Sequence, residues 1–368
     1  MNRKIVIIIK QSLDRLPPIL NLIDSLLLQE VHVMLICTNV IPELKDTYNG
    51  KVDFNIVDAD RKGNKLIKLF NWLRFRKYVR RFLDKMDQET LVWIGSADAA
   101  LAIGNQLFKY KYVFQCHELY DSFPFYRKHL GAFMQNAHLV ITPNAERGAI
   151  FRSWYKLKSS PFTLPNKALY HPRERNLFIE DEKVRELIAS LSTKKILLYQ
   201  GGIVAQRDVR KIAEAVKLLR EEWVLVLMGN TDNSTYLDDL IRDFPDTIYI
   251  SRISAPKHLQ VTSWARIGIV SYTYDDLNHV FCAPNKTWEY TGFGIPLLGN
   301  NIPGIVTDLQ KFHSGEAVDL DNSIAFDIAN KIRLIDEKYK EYSVGANLFY
   351  ESSNFEDIVN NLLLLTSK

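Results

Sequence analysis

Cysteine is scarce: Cys37, Cys116 and Cys282 are the only three in 368 residues. An odd number of widely separated thiols excludes a disulfide framework, and no two have the spacing of a zinc-ligand pair. Long apolar runs are absent as well. None approaches the roughly 18 residues that cross a bilayer, and the run at 5–9 stops at Lys10, too short for the apolar stretch of a secretory signal. Charge of one sign is also lacking, since 47 basic and 43 acidic residues leave a net +4. That balance is too mild to make nucleic-acid binding the default, so any basic partner surface must come from local clustering. No G-x-G-x-x-G follows a strand-like run and no P-loop occurs, which excludes the dinucleotide, kinase and NTPase fingerprints. These absences lead us to expect a soluble, cytoplasmic protein, at most peripheral on a membrane.

Apolar residues make up 47% of the chain and charged ones 24%, a globular composition. The length fits two domains of about 150–200 residues each. Short, continuously apolar runs at 5–9, 31–37, 91–94, 112–116 and 139–142 read as buried strands. Between them, 18–28, 65–85, 97–107 and 126–136 read as helices, a βαβ rhythm that implies a parallel sheet covered on both faces. The rhythm breaks where Pro161, Pro165 and Pro172 precede a charged stretch. A second series then runs from the strand at 195–200 to the strand at 296–298, and 355–365 is apolar enough for a final helix. The expected architecture is α/β: two Rossmann-like domains facing each other across a cleft. Their expected bounds are 1–172 and 194–345, with a linker at 173–193 and a C-terminal segment, 346–368, docking back as a helix. In such open sheets ligands bind at the carboxyl ends of the strands.

The strongest chemical signal is Pro284-Asn285-Lys286-Thr287-Trp288-Glu289-Tyr290, followed by Gly294-Ile295-Pro296. Asn285 reads as an N-cap, turning the backbone N–H groups of the next turn toward an anion. Lys286 falls in the first turn, where the helix dipole disfavours a cation unless something negative is bound, and a diphosphate would supply that charge. Glu289, three residues on, shares its face and can accept two hydrogen bonds from a ribose diol. The same residues would also make an ordinary capped helix with a Lys–Glu surface pair. A second signal is the strand at 195–200 running into Gly201-Gly202, with Arg207 before the next helix. Paired glycines allow close backbone approach, and a guanidinium forks onto phosphate oxygens; a plain strand–helix turn is the alternative.

These residues resemble a family. Pro284, Lys286, Glu289, Tyr290, Gly294 and Pro296 resemble the donor site of GT-B glycosyltransferases, most closely the group-1, family-4 retaining type that uses sugar nucleotides. The segment from Gly201 to Arg207 resembles that family's diphosphate loop, Leu227-Met228-Gly229 its strand-then-glycine step, and Ser251-Arg252-Ile253 the segment bordering the nucleobase. The resemblance implies that Gly201, Gly202, Arg207, Gly229, Arg252, Ile253, Pro284, Asn285, Lys286 and Glu289 form the donor site. It implies no cofactor and no metal, with Arg207, Lys286 and the helix N-terminus neutralising the leaving diphosphate. In the N-terminal half, Thr142-Pro143-Asn144 and Leu164-Pro165-Asn166 resemble family segments. His117, after the strand at 112–116, resembles its acceptor-side histidine, a job suited to a group with a near-neutral pKa. Three positions depart from the pattern. Phe281 stands where many members have a glutamate, Gly202 where they often have an arginine, and residues 10–15 lack the usual glycine-rich loop. Two D-x-D triplets, 58–60 and 319–321, read as solvated loops rather than metal ligands.

Residues 61–85 carry ten basic residues against one acid, Asp84, interleaved with Phe70, Trp72, Phe75, Tyr78 and Phe82. An amphipathic helix of this composition suits an anionic membrane surface, and the 126–128 and 152–156 segments extend it. A sheet-packing helix with a solvated basic face is the alternative, and no nucleic-acid recognition module accompanies it. The resulting expectation is a metal-independent enzyme. It would move a sugar from a nucleotide donor, a UDP-sugar, to a hydroxyl of a glycan or lipid-linked glycan in bacterial cell-surface polysaccharide synthesis. A sugar-nucleotide epimerase of the same shape and a non-catalytic nucleotide-binding scaffold are the rival readings.

Overall fold

The computed structural model describes residues 3–59, 64–87, 89–232 and 235–366. The chain divides into two compact units, Met1–Leu169 with Asn354–Lys368, and Tyr170–Ser353.

The first unit is built on β1 (Lys4–Ile8), β2 (His32–Cys37), β3 (Val52–Ile56), β4 (Leu91–Ile94), β5 (Tyr112–Gln115), β6 (Leu139–Thr142) and β7 (Phe162–Thr163). They stand in the order β3-β2-β1-β4-β5-β6-β7, every neighbouring pair parallel. Residues 5–8 of β1 lie opposite 33–36 on one side and 91–94 on the other. After the exposed Lys4, that central strand is apolar and buried on both faces, as a covered parallel sheet requires. The edge strand β3 (VDFNI) is only partly buried, which is why it carries no continuous apolar run to betray it.

The second unit repeats the plan with β8 (Lys195–Gln200), β9 (Trp223–Gly229), β10 (Ile248–Ser251), β11 (Ile267–Val270), β12 (Leu297–Asn300) and β13 (Gly315–Val318), in the order β10-β9-β8-β11-β12-β13. Alternate residues feed two cores. Leu197, Tyr199, Leu225 and Leu227 enter one, Ile196, Leu198, Val224 and Val226 the other, so both faces of the sheet are covered by helices. In each unit the strand order reverses once, between β1 and β4 and between β8 and β11. Such a reversal opens a crevice at the carboxyl edge.

The charged stretch expected as a linker contains a helix, Glu182–Ser190, capped by the Asp181 carboxylate accepting from the Val184 N–H at 3.1 Å. Its buried Ile188 and the partly buried Val184, Leu187 and Leu191 pack on the second unit's core, while its charges face outward. The final helix begins at Phe355; residues 346–351 complete helix Tyr339–Glu351 in the second unit. Phe355, Val359, Leu362 and Leu363 enter the core of the first unit, and the Arg3 guanidinium donates to the Leu363 carbonyl at 2.6 Å. Among the described residues no helix is long and apolar enough to cross a membrane.

Candidate active site

Of the donor-site residues expected from the sequence, Gly201, Gly202, Arg207, Pro284, Asn285, Lys286 and Glu289 gather at the strand-order reversal of the second unit, with Gly229 beside Gly201. β8 ends at Gln200, and the chain turns away through Gly201, whose φ of +136° is open to glycine. A Cβ at Gly201 would stand 3.2 Å from the Lys286 ammonium, so the loop backbone and the lysine nearly touch. Gly229, at the end of β9, serves the packing of the two strand ends, because a Cβ there would fall 1.7 Å from the Gly201 carbonyl oxygen. Its glycine lets them pass. The Ile203 N–H donating to the Asn230 carbonyl at 2.8 Å then fixes the loop.

Helix Asn285–Gly292 brings in the second set. Its N-cap is Pro284, in extended conformation and without a side-chain cap, so Asn285 is the first helical residue and not the cap the sequence suggested. Tyr290 ties the helix to β8, its hydroxyl donating to the Leu198 carbonyl at 2.9 Å and accepting from the Gln200 N–H at 3.2 Å. This anchoring places Lys286 over the Tyr199 ring at 4.2 Å and near the Tyr272 ring at 5.7 Å. Lys286 is only 6% exposed, and its ammonium has no hydrogen-bond partner among the described residues. Burial, with the Arg207 charge second, pushes its pKa down to about 7. Arg207 sits 5.0 Å from the centroid of the same Tyr272 ring, so both basic side chains lie against one aromatic ring beside the glycine loop.

The surface-pair alternative fails here, because Lys286 is buried and Glu289 turns elsewhere. One Glu289 carboxylate oxygen accepts from the Gln200 amide, the other lies 3.2 Å from His258 Nε2. Gln200 is itself held by the Thr262 hydroxyl, which donates to its amide oxygen at 2.8 Å. Burial acts to raise the Glu289 pKa, but the charge and hydrogen bond of His258, with His171 and Gln200, outweigh it and hold the carboxyl below its ordinary value. The result is an ionised acceptor with lone pairs to spare, as a vicinal diol requires. His171 supports the helix from outside, its Nε2 2.9 Å from the Glu289 carbonyl.

Sequence reasoning missed Tyr199, Gln200, Tyr272, His171 and His258. A polar residue closing the apolar strand KILLYQ was the one available signal, at the edge where ligands bind; the histidines gave none. Arg252 and Ile253 follow β10, two strands along the same edge from Gly201. Arg252 is exposed, and Ile253 packs partly on the core. Phe281 ends the short helix Leu277–Val280, half-buried.

His117 belongs to the first unit, directly after Cys116 at the end of β5. Its Nε2 is buried without a hydrogen-bond partner among the described residues, and its carbonyl accepts from the buried Arg147 guanidinium. Burial, with the Arg147 charge second, pushes its pKa down to about 4. The near-neutral base expected from the sequence is therefore a neutral imidazole that resists protonation. Of the D-x-D triplets, Asp319 organises its own loop, accepting from the N–H groups of Asp321 and Asn322, each at 3.1 Å. Asp58 pairs with Arg74 at 3.1 Å, and Asp60 lies outside the described residues, as do Arg61 and Lys62 of the basic stretch.

No protein-family model and no curated protein sequence matches the chain. Solved structures do. HepE from Anabaena, in complex with UDP and glucose, superposes with a TM-score of 0.74 at 12% identity, covering 100% of both chains. A glycosyltransferase from Rickettsia africae gives 0.70 at 14% identity over 100% of this chain and 98% of that one. WaaG, a glycosyltransferase involved in lipopolysaccharide biosynthesis, gives 0.66 at 12% identity over 97% and 98%. Two parallel sheets, each with one reversal of strand order, and full-length superposition on these structures give the chain the GT-B glycosyltransferase fold.

Proposed function

We propose that the protein is a glycosyltransferase that moves a sugar from a UDP-sugar to a hydroxyl of a glycan or lipid-linked glycan, as in bacterial cell-surface polysaccharide synthesis. The observation that carries this reading is Lys286: a buried ammonium without a hydrogen-bond partner among the described residues, beside Arg207 and a glycine loop, at the strand-order reversal. A diphosphate is the ligand that would fill that arrangement. Uridine is favoured because HepE, of the same fold, holds UDP and glucose. Glu289, kept ionised, would take the ribose diol, and the edge at Gly229, Arg252 and Ile253 would border the base.

In the reaction, the bond between the anomeric carbon and the diphosphate oxygen breaks, and a bond to the acceptor oxygen forms. Charge developing on the leaving diphosphate is met by Lys286, Arg207 and the first-turn N–H groups of helix Asn285–Gly292, preorganised and partly dry. The acceptor's proton passes to that diphosphate on the same face. A phosphate with a second pKa near 6 is the better base than an imidazole held at about 4. His117 is left to orient the acceptor by a hydrogen bond. Helix Lys65–Leu83 would hold the enzyme on the cytoplasmic face of an anionic membrane, where a lipid-linked acceptor resides.

Thermal unfolding with UDP, GDP, CDP and dTDP tests the donor half. A ligand at a hundred times its Kd adds roughly 2.7 kcal/mol. UDP should stabilise the wild type and fail to stabilise Arg207→Ala and Glu289→Ala. No shift with any nucleotide would end this reading. Stabilisation with interconversion of UDP-sugars, instead of transfer, would make the protein an epimerase.

A further inference from the structure

The amino-terminal half of helix Lys65–Leu83 contributes little to the core of its unit. Its buried residues are Phe75, Val79 and Leu83, all in the second half. Upstream, Leu66, Leu69, Phe70 and Leu73 recur at helical spacing as one stripe and are all exposed, Leu66 at 77% and Phe70 at 65%. The helix holds seven lysines and arginines and no acid. Beside the stripe lies a cavity of about 490 Å³. Trp72 of this helix, Leu101 and Gly104 from the segment around helix Ala97–Ile103, and Phe125, Ala132 and Phe133 of helix Pro124–Asn136 form its walls.

The walls are preorganised. Arg76 covers the Trp72 ring at 5.3 Å and donates to the Ala102 carbonyl at 3.0 Å, locking the indole against helix Ala97–Ile103. Several polar groups of the lining are engaged, the Tyr126 hydroxyl donating to Asp98 and His129 Nδ1 lying 2.7 Å from the Phe125 carbonyl, while Asn105 lines the cavity from an exposed position. The remaining walls are mostly carbon, with Lys128 also in the lining and Phe125 exposed. A sugar needs several open hydrogen-bonding groups, and beyond Asn105 and Lys128 this lining offers few. A hydrocarbon chain needs none, and its anionic headgroup would meet Lys128.

We propose that this slot takes one hydrocarbon chain of an anionic phospholipid drawn from the bilayer, so that the protein is held by a lipid seated in a pocket as well as by an apolar stripe on the surface. The proposal rests on the bilayer-facing role given above to helix Lys65–Leu83 and on no donor-site residue.

The test uses vesicles of phosphatidylcholine mixed with phosphatidylglycerol that carries bromine in mid-chain, against vesicles of phosphatidylcholine alone carrying the same bromine. Trp72 is one of six tryptophans, so its emission is isolated by difference from Trp72→Phe. Quenching of the Trp72 component is expected only with the anionic vesicles. Ala132→Phe, at an exposed position of the cavity wall, should abolish that quenching. It should also weaken vesicle binding by about tenfold or more, since each seated methylene counts for about fourfold. Stabilisation by UDP should be unchanged in this variant. Vesicle binding by the wild type with Trp72 quenching unaltered in Ala132→Phe would overturn the slot and leave only the surface stripe. Absence of vesicle binding would overturn both, and a shift of Trp72 emission by oligosaccharide without lipid would replace the lipid with a glycan.

Discussion

Lys286 is where two opposite pH effects meet. Its pKa, pushed down to about 7 from an ordinary 10.5, means that between those values the folded chain has released a proton that the unfolded chain keeps. Unfolding then takes up a proton, and the nucleotide-free protein gains stability as pH rises through that window. The groups that set the balance are Arg207, which opposes the charge, and Glu289 and Cys282, which favour it. A bound diphosphate reverses the preference by restoring the charged form. Nucleotide binding should therefore take up a proton, and affinity should fall as pH climbs above about 7, approaching ~tenfold per unit. Titration calorimetry in buffers of different ionisation enthalpy reads both quantities. Lys286→Met should flatten the pH dependence of stability in the absence of nucleotide. It should also lose about tenfold to a hundredfold in affinity, the worth of a charged hydrogen bond of about 1.5–3 kcal/mol. An affinity that holds steady across that range would mean that Lys286 does not meet the phosphates.

At the scale of elements, strands with unbroken apolar runs were legible, while the edge strands β3 and β13 were not. β1, β4 and β8 announce themselves because burial on both faces demands unbroken apolar runs. β3 and β13 sit at sheet edges with mixed residues, and helix Glu182–Ser190 hides four core contacts among charges that face outward. The site followed the same rule. Lys286, Glu289 and Arg207 could be picked out by residue type and spacing, whereas Gln200, His258 and Tyr272 matter through contacts across strands that no local pattern encodes. Gly229 was read from a family likeness, and its physical role is to let β9 pass the loop after β8. Gly229→Ala should thus displace the Gly201 backbone, destabilising the protein by about 3 kcal/mol through overpacking and abolishing UDP stabilisation. A variant that melts like the wild type and still binds UDP would show that this contact relaxes freely.

For the whole molecule, composition and the βαβ rhythm were enough to give two α/β units, and the apolar stretch at 355–365 was enough to give a final helix that docks back. The first unit does take its last helix from the far end of the sequence, beginning at Phe355 and not at 346. Leu362 is fully buried in the first unit's core beside Phe355 and Val359, whereas the proposed donor residues lie in the second unit with cores of their own. Leu362→Ala should cost about 2–5 kcal/mol by leaving a cavity under the sheet of the first unit. Because no donor residue touches that core, UDP should bind the variant with wild-type affinity. Calorimetric scans with and without UDP separate these effects, since ligand stabilisation acts only through the state that binds it. The lowered transition in Leu362→Ala should persist at saturating UDP, with the nucleotide increment itself unchanged. An increment that shrinks along with the stability would mean that the nucleotide site depends on the packing of the terminal helix, and that the two cores do not act as separate supports.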